Sequence, residues 1–304
     1  SGTRGERAYD LFSRLLRIEA SHTLEHFFNN VARSVSDPNS HKPLWDGMQA
    51  AALRRTNASA KQAIQARPDL RLGALGSGSD WAAFLDHLGI ASADLRFSGA
   101  GGGVYHSTYD DFYWFTHFSD TKFVYERALA QTMGTAVIRM ADAPILPFEF
   151  SDFADTMHLY LQQIETLRQD SAGAPALDFV PLASAVQSLQ TNAADYDRAV
   201  ERAEASGRIF QDAAALAQLN RILYSTERAM MVSGGLPGRP WYKHAIYAPG
   251  TYTGYGVKTL PGLREAIEQK RWSEAAGQIG VLQAVMQKVT NAIASATRVL
   301  GQHD

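Results

Sequence analysis

Apolar residues in the second half of the chain recur at the spacing of one helix face. The four sets are Phe153, Met157, Leu161, Ile164 and Leu167; Leu182, Val186, Leu189, Ala193, Tyr196, Val200 and Ala203; Leu216, Leu219, Leu223 and Met230; and Ala275, Ile279, Leu282, Met286, Val289, Ile293, Ala296 and Leu300. Steps of three, four or seven residues place each set on one side of a helix. The pattern predicts four long amphipathic helices packed as a four-helix bundle.

The first half has a different pattern. Short apolar runs alternate there with Gly, Ser and Pro, and "RLGALGSGSDWAAFLDHLGIASADLRF" is typical of a loop, a helix and a strand in succession. "GTAVIRMAD" fits a strand or a helix, whereas the two prolines of "APILPFEF" exclude a continuous helix. The fold class predicted is an α/β segment at residues 1–148 followed by an all-α domain at 149–304, mainly α overall.

Residues 233–262 interrupt the helical half. Glycine, proline and aromatic residues are too frequent there for a helix. A segment of this length inside a compact bundle is usually functional or docked on a neighbour. We expect it to fold back onto the first half.

Composition narrows the function classes. The chain has 45% hydrophobic residues, and its 29 basic and 31 acidic side chains give a net charge of −2, which argues against nucleic acid as a partner. No apolar run reaches the ~20 residues of a membrane span. Because cysteine is absent, thiolate zinc sites and cysteine nucleophiles are excluded, and a transition-metal site would need His, Asp and Glu.

Two segments carry candidate metal or acid–base chemistry. His22-Thr23-Leu24-Glu25-His26 matches the inverted zinc-protease pattern, in which two histidines share one helix face; the alternative is a capped structural helix. In "GGGVYHSTYDDFYWF", His106 follows a flexible glycine run beside Tyr105, whose hydroxyl could donate to an oxyanion. A loop histidine without metal is the alternative there. No G-x-S-x-G elbow and no Walker loop is present.

Four segments in order resemble one family. "LGSGSDWAAFLDHLGIAS", "VYHSTYDDFYWFTHFSD", "ADAPILPFEFSDFA" and "GLPGRPWYKHAIYAPGTYTGYG" are similar to the C-terminal part of glutamate carboxypeptidase II and its relatives, zinc exopeptidases that include the inactive transferrin receptor. The resemblance covers roughly residues 20–304. It implies part of a zinc-exopeptidase domain at residues 1–148 and a transferrin-receptor-like dimerisation domain at 149–304.

The resemblance also implies residue roles. In this family the "YHS" histidine is a zinc ligand and its tyrosine stabilises the tetrahedral intermediate, which points to His106 and Tyr105. Gly78 and Ser79 resemble a substrate-pocket wall, and Tyr255 matches a tyrosine that grips the substrate's C-terminal carboxylate. Two zinc ions, a peptide substrate, a homodimer and an extracytoplasmic location follow as expectations. The family's helix at the His22–His26 position carries no metal, which favours the structural alternative there.

Departures from the family's pattern limit these expectations. The upstream metal motifs, a histidine, a bridging aspartate and a Glu-Glu pair, are absent. Asp10 lies near the spacing of another carboxylate ligand, but "YDLFSRLLRIE" has the pattern of an amphipathic helix where the family has a strand, so Asp10 is not assigned. The chain is therefore expected to be a C-terminal portion that is inactive alone. The alternative is a non-catalytic, receptor-like binding and dimerisation protein.

Substrate specificity departs as well. The family's pocket lysine before the tyrosine is Gly254 here. Of two arginines that line the family's acidic-residue pocket, one matches Arg96 and the other matches Asp94. Because Arg and Lys supply the paired donors that recognise a carboxylate, the intact parent is expected not to prefer acidic dipeptides such as N-acetylaspartylglutamate.

Overall fold

The structure is a computed structural model that describes residues 14–54, 56–99 and 104–303. The chain folds into two compact units, each built from segments that are separated in sequence. Unit 1 comprises Ser1–Ile18, Phe27–Leu70 and Asp94–Asp142, and unit 2 comprises Glu19–His26, Arg71–Ala93 and Ala143–Asp304. The predicted domain boundary between residues 148 and 149 stays a prediction.

Most residues of a two-stranded sheet and of the shorter helices belong to unit 1. The strands are β1 (Leu15–Ala20) and β2 (Ala93–Ser98), which pair with each other. The helices are α1 (Glu25–Ser34), α2 (Leu44–Arg54), α3 (Ala58–Gln65), α4 (Phe112–Phe118) and α5 (Val124–Asp142). "GTAVIRMAD" is thus the end of helix α5, and "APILPFEF" has no regular structure, as its prolines predict.

The helix predicted at "YDLFSRLLRIE" is wrong over the residues that the structure describes. Residues 15–20 form strand β1, in which Leu16, Ile18 and Ala20 are buried while the residues between them are partly exposed. A period of two is the burial pattern of a strand, and pairing with the distant β2 overrides an apolar run that also fits a helix. Asp10 lies outside the described residues.

Unit 2 contains the long helices. They are α6 (Ser151–Asp170), α7 (Val180–Ser206), α8 (Ala213–Ala229), α9 (Pro261–Glu268) and α10 (Trp272–Gly301). A 3₁₀ turn covers His22–Leu24, another covers Arg208–Gln211, and a π-helix covers Ala83–His87. Helix α10 packs along α7 and α8, and α6 packs on α7. The four predicted stripes lie on helices except for Met230, which directly follows α8. The molecule is mainly helical as predicted; the closed four-helix bundle stays a prediction.

Local sequence accounts for the ends of these helices. Helix α7 ends at Gly207, whose φ of 68° is the left-handed conformation that glycine adopts without strain. The Asp212 side chain accepts hydrogen bonds from Ala214 N and Ala215 N, and so caps the start of α8. The α10 stripe from Ala275 to Leu300 is entirely buried, because it faces the neighbouring helices.

The segment at residues 233–262 forms a short hairpin of strands β3 (Tyr247–Pro249) and β4 (Val257–Thr259). It packs on the stretch 71–93, as the sequence predicts. Lys243 N donates to Asp86 O at 2.7 Å, and Ser77 N donates to Tyr255 O at 3.2 Å. The Trp241 ring stacks on His87 with centroids 5.1 Å apart.

Candidate functional site

Tyr105 and His106 lie in a tight turn of unit 1. Their rings stack with centroids 3.8 Å apart, and both side chains are exposed, Tyr105 by 69%. Ser107 closes the turn, because its N–H and its hydroxyl both donate to Val104 O, at 2.9 and 2.6 Å. Both candidate side chains are therefore presented to solvent on an internally bonded turn.

His106 has a left-handed backbone, with φ of 60°. Histidine is among the non-glycine residues that enter this region most often, but the conformation still costs roughly 1–3 kcal/mol. Such strain is concentrated at functional sites, where the surrounding structure holds a side chain in a required direction. His41, Phe123, Leu260 and Lys270 share this backbone region, so the conformation by itself does not distinguish His106 from another loop histidine.

The described residues do not by themselves fit a zinc site. A catalytic zinc needs about three protein ligands, and across residues 14–54, 56–99 and 104–303 no group of three or more His, Asp or Glu side chains could hold a metal ion. Any metal at His106 would need ligands from elsewhere.

Arg96 and Asp94 lie two residues apart on strand β2, which places both side chains on one face. Arg96 Nη1 donates to Asp94 Oδ1 at 3.1 Å. The Arg96 side chain is 47% exposed, so the pair contributes little to stability. The resemblance assigns Arg96 to a pocket for acidic residues, and Asp94 stands where the family has a second arginine. The contact with Asp94 offsets the positive charge of Arg96.

Gly78 and Tyr255 come together in unit 2. Gly78 has φ of 104°, and a Cβ added there would lie 2.8 Å from Tyr255 Cδ1. A Cβ on Gly76 would lie 2.8 Å from Val257 N. Both glycines are needed because the hairpin lies directly on this loop. Ser79 next to them is exposed, and the Tyr255 side chain is 62% exposed.

The six candidate residues are thus distributed over both units. Gly78, Ser79 and Tyr255 belong to unit 2, and their loop and hairpin are in contact. Arg96, Tyr105 and His106 belong to unit 1.

The His22–His26 pattern does not form a shared metal site. His22 lies in a 3₁₀ turn and is fully buried, whereas His26 is exposed. His22 Nε2 hydrogen-bonds to the Tyr160 hydroxyl at 2.7 Å, and its Nδ1 lies 3.5 Å from Glu25 Oε2. The structural role predicted for His22 agrees with this geometry.

His22 belongs to a buried polar cluster whose other members the sequence patterns did not indicate. His22 N donates to the Tyr247 hydroxyl at 3.1 Å. His244 Nδ1 accepts from Ile246 N and Tyr247 N, so its Nε2 carries the proton and donates to Glu227 Oε1 at 3.2 Å. Burial raises the pKa of both Tyr160 and Tyr247, which keeps these hydroxyls neutral hydrogen-bonding groups.

Two acids with raised pKa values were also missed, the buried Asp86 and the partly buried Glu149. Asp86 lies in the π-helix with no hydrogen-bond partner for either carboxylate oxygen among the described residues. Its burial raises the pKa to about 8, against a smaller opposing effect of Arg239. Burial, together with the neighbouring Asp197 carboxylate, raises the pKa of Glu149. Such positions carry no local sequence signal, since only the folded chain decides which acid is removed from water.

None of the helices within the described part of the chain is both long and apolar enough to cross a membrane.

Comparisons with known proteins agree with the resemblance. Residues 177–294 match the transferrin receptor-like dimerisation domain family. The chain is 35% identical over 230 residues to the probable glutamate carboxypeptidase LAMP1 of Arabidopsis thaliana. This match covers 76% of this chain and 32% of the relative. It is 33% identical over 241 residues to a probable glutamate carboxypeptidase of Arthroderma benhamiae, covering 77% of this chain and 31% of the relative.

A third relative carries a different name. The aminopeptidase NAALADL1 of Mus musculus is 29% identical over 226 residues, covering 69% of this chain and 30% of the relative. The chain therefore spans about a third of the length of these relatives. The chain belongs to the transferrin receptor-like and glutamate carboxypeptidase family.

Proposed function

We propose that this chain is the C-terminal part of a zinc-dependent exopeptidase of the glutamate carboxypeptidase type, with a dimerisation domain, and that it is inactive alone. The observation that carries the proposal is the match of about three quarters of the chain to proteins named as carboxypeptidases and an aminopeptidase. Zinc dependence belongs to the proposal for the whole protein, because the described residues lack a complete ligand set.

Tyr105 is assigned to stabilisation of the reaction intermediate, and His106 is assigned to metal binding. The exposed Tyr105 hydroxyl can donate a hydrogen bond to the oxyanion that forms when a peptide carbonyl is attacked. The His106 imidazole is assigned to the metal by the resemblance, and its exposed position on the turn leaves the ring accessible for that role. Neither group supplies a nucleophile or a general base, so peptide hydrolysis requires further residues.

Gly78, Ser79, Arg96 and Tyr255 are assigned to substrate binding. The Tyr255 hydroxyl can donate to a substrate carboxylate from its position over the 76–79 loop. Arg96 is already paired with Asp94, and a guanidinium that shares its donors with an internal carboxylate binds a second carboxylate more weakly. We therefore assign neutral or apolar rather than acidic residues to the substrate side chain.

The helical half, residues 149–304, is assigned to homodimerisation, and an extracytoplasmic location is proposed with it. The match of residues 177–294 to a dimerisation-domain family supports the first assignment. Light scattering at micromolar concentration tests it, and a monomeric mass would count heavily against the proposal.

Expression of the complete open reading frame tests the proposed activity. We expect zinc and peptidase activity in that product, loss of activity in its His106→Ala variant, and no activity in residues 1–304 alone. The alternative is a non-catalytic receptor-like binding and dimerisation protein, with which the incomplete ligand set of the described residues is equally compatible. A complete product that dimerises, contains no zinc and cleaves no peptide would establish that alternative.

A further inference from the structure

The turn at residues 250–256, between β3 and β4, presents Tyr255 and also Tyr252, which is 86% exposed. Exposed turns of this kind are usually mobile. This turn, however, is tied at its base to two charged side chains. One is Arg239, from the stretch before β3, and the other is Glu265, on helix α9.

Arg239 and Glu265 form an ion pair with little access to water. Arg239 Nη2 donates to Glu265 Oε2 at 2.8 Å, and the two side chains are 15% and 8% exposed. Arg239 Nη1 donates to Pro249 O, the last residue of β3. A guanidinium can serve two acceptors at once because its N–H groups diverge in a planar fork, a geometry that lysine lacks.

Glu265 completes the attachment on the other side of the turn. Its Oε1 accepts from Thr251 N at 2.7 Å, and its Oε2 accepts from the Thr251 hydroxyl at 3.1 Å. The turn then closes on itself, since Gly250 N donates to Gly256 O at 3.0 Å. Within the turn, Tyr255 O accepts from Ser77 N, and Gly78 lies under the Tyr255 ring.

We infer that Arg239 and Glu265 are positioning residues that hold the 250–256 turn so that Tyr255 stays on the 76–79 loop. Charge-assisted hydrogen bonds in a poorly solvated site are stronger and more directional than neutral ones, which suits them to fixing a turn. The inference rests on the proposed function only in treating Tyr255 as a substrate-binding residue; the attachment itself is a property of this chain.

Hydrogen exchange on the 304-residue chain tests the attachment. Glu265→Gln keeps an acceptor for Thr251 N but removes the charge, and Thr251→Val is a milder variant that loses the hydroxyl bond and leaves the ion pair intact. We expect amides of residues 250–256 and of Ser77 to exchange about tenfold faster in Glu265→Gln, and by a smaller factor in Thr251→Val.

The matched control is Glu268→Gln. Glu268 lies one turn further along α9 and pairs with Lys258 of β4 at 2.7 Å, so it joins the same helix to the same hairpin through a strand and not through the turn. We expect it to leave the 250–256 amides unchanged. Equal exchange in Glu265→Gln and the wild-type chain, or equal acceleration by both Gln variants, would overturn the inference.

A double-mutant cycle in the product of the complete open reading frame tests the link to substrate binding. Glu265→Gln should raise the peptide KM about tenfold with kcat little changed, and this rise should disappear in a Tyr255→Ala background. Additive effects of the two substitutions would refute action through Tyr255. Absence of any peptidase activity would refute the proposed function instead, and exchange would still decide whether the attachment exists.

Discussion

Replacement of Asp86 by Asn should change how the stability of this protein depends on pH. Asp86 is buried in the π-helix without a hydrogen-bond partner for its carboxyl oxygens among the described residues. Its pKa rises from an ordinary value of 3.8 to about 8, because burial disfavours the charged form. At neutral pH the folded protein therefore keeps a proton that the unfolded chain has released.

The direction and size of the change in unfolding free energy with pH follow from this difference in bound protons. Where the folded state binds more protons than the unfolded state, stability falls as pH rises, by about 1.4 kcal/mol per pH unit for one group. The loss begins near pH 4, above the unfolded pKa of 3.8, and stops near the folded pKa of about 8. At pH 7 it amounts to about 4 kcal/mol, relative to acidic pH. Asn does not titrate and is nearly the same shape, so Asp86→Asn should escape this loss.

Urea unfolding of the wild-type chain and Asp86→Asn at pH 5.5, 6.5, 7.5 and 8.5 measures the effect. The difference in free energy of unfolding should grow in favour of Asp86→Asn by about 1.4 kcal/mol per unit up to about pH 7.5 and then level off. Asp80→Asn removes one exposed carboxylate nearby and controls for the change in net charge. Parallel stability curves for the wild-type chain and Asp86→Asn would refute the reasoning.

Three further substitutions test other parts of the molecule. Gly78→Ala would force an L side chain into φ of 104° with its Cβ 2.8 Å from the Tyr255 ring. We expect the free energy of unfolding to fall by about 1–3 kcal/mol and the near-ultraviolet tyrosine signal to change. An unchanged spectrum and stability would contradict the packing of Tyr255 on Gly78. Ile293→Ala on α10 removes a fully buried side chain and should cost about 2–5 kcal/mol in urea unfolding, whereas a loss below about 1 kcal/mol would show that the seam is loosely packed. Asp94→Asn releases Arg96 from its ion pair and should raise kcat/KM for acidic over neutral peptides several-fold in the complete gene product; an unchanged ratio would remove Arg96 from the substrate pocket.

Some contacts of the candidate residues join near neighbours in the sequence, while the assigned roles of these residues stay predictions. The pairing of Asp94 with Arg96 follows from their two-residue spacing on a strand. The stacking of Tyr105 on His106 joins adjacent residues. By contrast, the hydrogen bond of His22 to Tyr160 spans 138 positions, and its contact with Tyr247 spans 225. No local pattern signals such a contact.

The long helices of this protein were determined by the sequence itself. Their apolar stripes recur every three or four residues, and a helix arranges such residues on one face whatever partner it finds. Gly207 and Asp212 add local stop and start signals at the junction of α7 and α8.

The tertiary structure alone decided strand β1, the burial of Asp86 and the attachment of the Tyr255 turn. The run that forms β1 fits either periodicity, and pairing with a strand more than seventy residues later selects the extended form. Likewise, Asp86 keeps its proton at neutral pH because folding removes its carboxyl group from water. The hydrogen bond from Thr251 N to Glu265 also forms only in the folded chain. Desolvation is a property of the assembled interior, and it is therefore absent from any short stretch of the chain.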